Sequence, residues 1–416
     1  MPSDTTHLIV GASLAGAKAA QALREEGFAG RIVLAGEENE RPYERPPLSK
    51  GYLLAKSERE EIYVHPQQWY AEHDIDLRLG ATVVAVDPAA HEVTFADGSR
   101  LDYAKLLLTT GSSPRRLALP GAGLDGVLYL RRVEDSDRLK ETLRTASHIA
   151  VIGAGWIGLE TAAAARAFGA EVTLLERAES PLLRVLGRET SQIFADLHTE
   201  HGVDLRCGVQ IAEITGTDGH ASGVLLADGS RIEADAVIAG IGITPNSQLA
   251  TAAGLDVGNG IRVDAHLRSS RQDIYAAGDV ANAFHPLLGR HIRVEHWANA
   301  VYQSQVAAKV MLGQDVIYDR VPYFFTDQYD LGMEYTGYVE PGAYDQVVFR
   351  GSTSTREVIA FWLADGRVLA GMNVNVWDVT DPIRALVTSG GVVDAQQLAD
   401  TNVSLADLLG HPGRAD

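Results

Sequence analysis

Apolar and small residues recur in one order along this chain. "HLIV" runs into the glycine turn "GASLAG", a stretch of small residues follows through Phe28, and "RIVLAGEE" closes the unit on acids. "HIAVIGAGWIGLE", "TAAAARAFG" and "EVTLLERAE" repeat that order about 140 residues later. Short continuous apolar runs bounded by glycine predict buried parallel strands, and the alanine-rich stretches between them predict helices packed closely on those strands. Two such strand–turn–helix–strand units, too far apart for a solenoid repeat, predict duplicated domains.

After each unit comes a second texture. "ATVVAVDPAAHEVTFADGSRLDYAKLLLTTGSSPR" predicts a strand, an Asp-Gly hairpin and a buried strand ending at Gly111, and "GVLLADGSRIEADAVIAGIGITPN" repeats it. "SSRQDIYAAGDV" predicts one more buried strand, ending in Gly-Asp. From Val321 aromatics become frequent, and "REVIAFWLADGRVLAGMNVNVW" alternates about an Asp-Gly turn as an antiparallel hairpin does. The expected architecture is α/β, with two Rossmann-like dinucleotide-binding domains and a C-terminal α+β domain built on an antiparallel sheet. We expect residues 1–110 and 244–321 to form one discontinuous domain, 111–243 the second and 322–416 the third.

One segment breaks the pattern. "RPYERPPLSKGYL" (41–53) places Pro42, Pro46 and Pro47 directly after the first unit, with Lys50 just beyond them. Prolines without an N–H resist helix interiors and central strands, so this is a fixed turn that aims something.

The formal net charge is −19, which argues against a general nucleic-acid binder or a partner of anionic membranes. The single cysteine, Cys207, permits neither a disulfide framework nor a CxxC redox pair within one chain. His198 and His201 stand at i,i+3, but zinc needs three or four ligands, so no metal is expected. The N-terminus has no basic region before its apolar run, and no apolar stretch approaches a membrane span, so a cytoplasmic protein is expected.

The chemistry lies in the glycine turns. Gly153, Gly155 and Gly158 complete G-x-G-x-x-G, and Glu176 follows Gly158 by 18 residues, at the end of the next strand. The first glycine makes the turn, the second lets backbone approach a pyrophosphate, the third lets helix and strand pack, and the acid takes a ribose hydroxyl. The first unit has Gly11, Ser13 and Gly16 with Glu37 as its acid; Ser13 departs from glycine but offers phosphate a hydroxyl. Two dinucleotide sites in one chain suggest flavin and nicotinamide, since one can reduce the other. Asp279, at the mouth of a buried strand, can hydrogen-bond a flavin ribitol.

"IVGASLAG", "RPPLSKGYL", "TTGSSPR", "VIGAGWIGLE", "YAAGDV" and "VPYFFTDQYDLG" occur in one order along nearly the whole chain. That series resembles the FAD-dependent NADH:ferredoxin reductases, the putidaredoxin and rubredoxin reductases among them, which are related in fold to glutathione reductase and apoptosis-inducing factor. The resemblance implies a flavoprotein that takes hydride from NADH onto FAD. Single electrons then pass to a [2Fe–2S] ferredoxin or a rubredoxin that feeds a cytochrome P450 or a ring-hydroxylating oxygenase. It implies that Lys50 approaches flavin N5 and O4, that Arg45 reaches the FAD phosphates, and that Ala15, Glu37, Val83, Thr110, Gly111, Arg131, Gly278, Asp279 and Trp297 surround FAD. It also implies an acid, Glu160, near both Lys50 and the nicotinamide. The family commonly carries Trp where this chain has Phe325; Trp297 and Phe325 can still cover the ring. Two alternatives stand beside this reading. One is an NADH oxidase or disulfide-type enzyme, which needs a cysteine beside the flavin where this chain has none before Cys207. The other is a redox-sensing flavoprotein resembling apoptosis-inducing factor.

Overall fold

The structure, a computed structural model, describes residues 5–409. Arg414 and Asp416, and the first four residues of the expected N-terminal domain, lie outside them. The chain divides into two compact units, one comprising residues up to Pro46, Ser57–Ser113 and Ile243–Arg320, the other Pro47–Lys56, Pro114–Gly242 and Val321 onward.

The first unit is built on five parallel strands in the order Ile274–Ala276, Lys105–Leu108, Thr6–Val10, Arg31–Ala35 and Ile75–Arg78. Leu8, Ile9, Val33, Leu34, Leu106 and Leu107 are wholly buried, as continuous apolar runs covered on both faces should be. Helix Leu14–Glu25 turns alanines and Gly16 to the sheet, and this small-residue face also meets helix Trp297–Met311. The helix stops at Glu25, short of Phe28, where Gly27 takes a φ of +81°. The strand expected to reach Gly111 ends at Leu108; Gly111 turns away with φ +65°, its carbonyl bonded by the Asn246 amide.

The second unit carries a matching parallel sheet, Val203–Arg206, Glu171–Leu175, His148–Ile152, Ala236–Ala239 and Val127–Leu128, then a three-stranded antiparallel meander over 211–233. Beyond Val321 five antiparallel strands follow in the order Tyr323–Gln328, Leu331–Gly337, Arg367–Val374, Glu357–Ala364 and Gln346–Ser352. The Asp365-Gly366 turn joins two of these strands with positive φ at both residues, the twist-matched hairpin geometry. On the strand from Tyr323 the period of two places Phe324, Thr326 and Gln328 inside, with Phe325 and Asp327 outside.

Residues 47–56 belong to the second unit. Pro46–Ser49 form a single 3-10 turn, and Leu53 is fully buried in the core of the second parallel sheet and the C-terminal sheet. Ser136 Oγ donates to the Leu48 carbonyl at 2.8 Å, Tyr52 OH donates to Asp137 at 2.6 Å, and Lys140 sits 3.8 Å from the Tyr52 ring centroid. The proline turn is thus tied down on helix Val133–Thr145.

Candidate functional site

In the first unit the turn after Thr6–Val10 sets Gly11 at φ +122°, where any Cβ would meet the Thr109 carbonyl oxygen at 2.2 Å. Ser13 stands at the helix N-cap in extended backbone, and its side chain makes no cap hydrogen bond. The first-turn amides of the helix have no intrahelical acceptors. They and the Ser13 hydroxyl form a donor set suited to a pyrophosphate. Ala15 is buried against Gly278, whose added Cβ would come within 3.2 Å of it.

Asp279 follows on the next strand end; its Oδ2 accepts from Ser112 Oγ at 2.7 Å. Thr110 and Asn246 exchange two hydrogen bonds, Thr110 Oγ1 to the Asn246 carbonyl and Asn246 Nδ2 to the Thr110 carbonyl. Burial lowers His296 to about 4, against the raising effect of Asp279, so the ring is neutral. Arg45 bonds Glu38 at 3.1 Å and feels Asp279 as well, which places its guanidinium on the same side of the unit. Glu37 is exposed just past Arg31–Ala35, and Val83 opens the strand Val83–Asp87, half-buried. The indole Nε1 of Trp297 is buried with no hydrogen-bond partner among the described residues. An orphaned buried donor beside a row of open helix amides fits a large polar ligand such as FAD.

The second unit repeats the turn. Gly153 has φ +97°, and a Cβ on Gly158 would strike the Gly153 carbonyl oxygen at 1.8 Å. Gly155 differs. Its φ is −82°, and a Cβ there would meet only one carbonyl oxygen, 4.0 Å away. Neither backbone nor packing requires glycine at 155, so a ligand approaching the backbone is the physical reason for it. Glu176 closes the cradle: Oε2 accepts from the Ala154 amide and Oε1 from the Ala178 amide, both at 2.7 Å. A carboxylate has about four acceptor positions, so two remain for ribose hydroxyls.

The same unit holds Lys50 and Glu160 together. Glu160 lies in the helix Trp156–Ala167 that opens at this glycine turn, and it is 4% exposed. Its Oε1 accepts from Lys50 Nζ at 2.7 Å and from Thr326 Oγ1 at 2.6 Å; its Oε2 accepts from Ser49 Oγ. Lys50 also lies 5.8 Å from the centroid of the Phe325 ring. Arg131 is half-buried ahead of helix Val133–Thr145, its amide bonded to Asp135.

Residues 5–304 match the family described as pyridine nucleotide-disulphide oxidoreductase, and 323–409 match a reductase C-terminal domain. The chain belongs to the pyridine nucleotide-disulphide oxidoreductase family. Among its relatives, the 5,5'-dehydrodivanillate O-demethylase ferredoxin reductase subunit of Sphingobium sp. is 41% identical, with 98% of each chain covered. Rhodocoxin reductase of Rhodococcus erythropolis is 39% identical over 96% of this chain and 93% of the relative. The covalent putidaredoxin reductase–putidaredoxin complex superposes with a TM-score of 0.94 at 36% identity, covering 98% of this chain and 99% of that one. These likenesses extend through the C-terminal sheet, so the family's reductase branch accounts for the whole described chain.

Sequence reasoning missed Ser49, Ser112, Asn246, His296 and Thr326. Asn246 stands in the quoted "GITPN" and Thr326 in "VPYFFTDQYDLG", so the signal was present as motif but carried no role. Among the described residues no group of three or more His, Cys, Asp or Glu could hold a metal, and no helix is long and apolar enough to cross a membrane. Cys207 follows Val203–Arg206; burial, and then Glu176, raise its thiol above the usual range.

Proposed function

We propose that this protein is an NADH:ferredoxin oxidoreductase. It holds FAD in the first unit and NADH at the glycine turn of the second, and serves a [2Fe–2S] ferredoxin or rubredoxin that feeds a cytochrome P450 or ring-hydroxylating oxygenase. The observation that carries this reading is the single thiol. Both dinucleotide cradles are present, yet the lone cysteine sits beside Glu176 with its thiol pKa raised. No cysteine pair exists to receive electrons within the chain, so an external carrier takes them. The relatives whose names include a ferredoxin reductase subunit and rhodocoxin reductase, and the complex with putidaredoxin, support that class of carrier.

Bound FAD would supply the chemistry, accepting a hydride from NADH and releasing electrons singly. The chain's own residues bind and tune. The amides after Gly11 and Gly153 receive the two pyrophosphates. Glu176 takes the adenosine ribose, and its fixed charge disfavours a 2′-phosphate. Lys50, held by Glu160, keeps a cation where negative charge arrives on the cofactor. We assign FAD to residues 1–110, less 47–56, with 244–321, and NADH to 111–243, a division supported by the two separate parallel sheets, and carrier docking to 322–416. A cytoplasmic location suits a consumer of NADH whose only cysteine is unpaired.

Anaerobic NADH should bleach the flavin absorbance of the purified holoprotein, and a [2Fe–2S] ferredoxin should then be reduced catalytically. Equal NADH consumption with oxygen alone, and no ferredoxin reduction, would replace this reading with the oxidase one. A long-lived reduced complex that no carrier reoxidises would favour the redox sensor.

A further inference from the structure

The buried side of the C-terminal strand Tyr323–Gln328 continues the Glu160 cluster outward. Thr326 Oγ1, which meets Glu160 at 2.6 Å, also meets Gln328 Nε2 at 3.2 Å. Gln328 Oε1 lies 2.8 Å from His198 Nε2, and His198 Nδ1 lies 3.4 Å from Tyr329 OH. Thr326, Gln328 and His198 are each at most 2% exposed.

Donor direction along this series is forced. A hydroxyl has one proton. Thr326 gives it to the carboxylate, which can only accept. Thr326 must then accept from Gln328, so the amide turns its NH2 toward Thr326 and its oxygen toward His198. That oxygen requires a proton on His198 Nε2, and a neutral ring then has Nδ1 free to accept from Tyr329. Burial lowers His198 to about 4 and raises the Tyr329 hydroxyl above its ordinary range, so both hold the forms this order needs. Every bond donates toward Glu160, and aligned hydrogen bonds polarise one another in the same sense. The amide at the centre cannot relay protons without flipping, so the series is a brace and not a proton path.

We propose that Tyr329, His198, Gln328 and Thr326 form one donor-aligned chain that fixes the Glu160 carboxylate against Lys50, making Thr326 and Gln328 positioning residues for flavin reduction. The turn carrying Tyr329 supports this, since Tyr329 takes φ +55°, a conformation disfavoured for a bulky side chain, at the position that presents its hydroxyl to His198.

The test has two arms. In 15N-histidine-labelled holoprotein, His198 should show the Nε2–H tautomer at pH 7; an Nδ1–H tautomer reverses the middle link and overturns the proposal. This arm does not depend on the reductase reading. The second arm rests on it and measures flavin reduction by NADH in stopped flow. Thr326→Val and Gln328→Leu should each slow reduction by about five- to tenfold with NADH affinity unchanged, and Thr326→Ser should recover most of the rate. The double variant should be no slower than the slower single one, because either break disables the chain. Multiplying effects, or a Thr326→Val rate equal to wild type, would overturn it. Wild-type holoprotein that NADH does not reduce would defeat the functional reading and leave the tautomer result to decide the chain.

Discussion

Lys50 Nζ lies 2.7 Å from Glu160 Oε1, although 110 residues separate them in sequence. Two local devices bring them together. The proline turn is fastened to helix Val133–Thr145 through Ser136 and Tyr52, and Glu160 rides on the helix that begins at the Gly155 N-cap. Glu160 is nearly buried, so the cation offsets desolvation of the acid while its own charge stays aimed. Lys50→Ala should slow flavin reduction by at least about tenfold and lower the flavin potential by about 30 mV. It should also cost about 3 kcal/mol in stability, since a buried carboxylate loses its counterion. Lys50→Met combined with Glu160→Gln should restore the stability and leave the rate low. Stopped flow, potentiometry and denaturant midpoints on the three proteins check this; unchanged rate and potential in Lys50→Ala would reduce Lys50 to a structural lysine.

Glu176, which we propose takes the adenosine ribose, also holds backbone. Its two oxygens hold the Ala154 and Ala178 amides, so the anion is fixed in the cradle. NADH should be preferred over NADPH. In Glu176→Ala the repulsion disappears and two amide donors are freed for phosphate, so kcat/KM should rise about tenfold for NADPH and fall by a similar factor for NADH. Steady-state kinetics with both nucleotides decides it, and a wild type that prefers NADPH refutes the assignment.

Cys207 should be a bystander. Its thiol is raised by burial and by Glu176, so little thiolate is present at neutral pH. Cys207→Ser should retain full ferredoxin-dependent turnover. Loss of turnover in a folded, FAD-loaded variant would revive a thiol mechanism.

What the sequence made legible and what it did not divide along physical lines. Glycine turns and Asp-Gly hairpins are local, because their signals lie within a few residues, and they appear where expected; strand ends are less local, and the one expected at Gly111 falls at Leu108. Thr326 and Gln328 were legible only as members of the motif "VPYFFTDQYDLG", with no role attached. Their partners were not, because Glu160 and His198 are 166 and 130 residues away and only the tertiary packing brings them near. The i,i+3 histidines posed a metal question by spacing alone; in the fold His198 turns inward to Gln328 while His201 stacks on Tyr329 at 3.8 Å. Arg45 shows the converse, a basic residue expected at phosphate that is also bound by Glu38.

Acid sensitivity follows from a buried histidine in the first unit. His7 is 1% exposed and stacks on Phe28 at 4.0 Å; burial, then Lys105, lower it to about 4. The unfolded chain binds this proton near pH 6.5 and the folded one only near 4. Stability through this group is therefore full above about pH 6.5 and is lost as pH falls toward 4. By pH 5 the loss should be roughly 2 kcal/mol. His7→Phe keeps the stacked ring and removes the proton site, so its denaturant midpoint should fall less than wild type between pH 7.5 and 5. Parallel falls in both proteins would assign the acid limb to other groups.

Carrier docking should depend little on long-range charge. From residue 322 onward the sequence has five arginines, no lysine and thirteen acids. Two arginines elsewhere that a ferredoxin could meet are already engaged within the first unit, Arg45 with Glu38 and Arg293 with Glu295, and the Arg293 side chain is only 8% exposed. Arg115, Arg116 and Arg290 are exposed. The C-terminal sheet instead offers apolar surface. Phe325 is 36% and Trp377 55% exposed. They share a face: Phe325 sits opposite Glu334, and the Trp377 ring lies where a Cβ on Gly332, two residues along, would point. Such aromatic anchors carry short-range affinity, whereas exposed charges mainly steer encounter. Raising ionic strength from low to physiological should change kcat/KM for a ferredoxin by less than about tenfold, while Trp377→Ala should raise its KM several-fold with NADH-driven flavin reduction unaltered. A fall with salt well beyond tenfold, together with an unchanged KM in Trp377→Ala, would move the docking face to the exposed arginines.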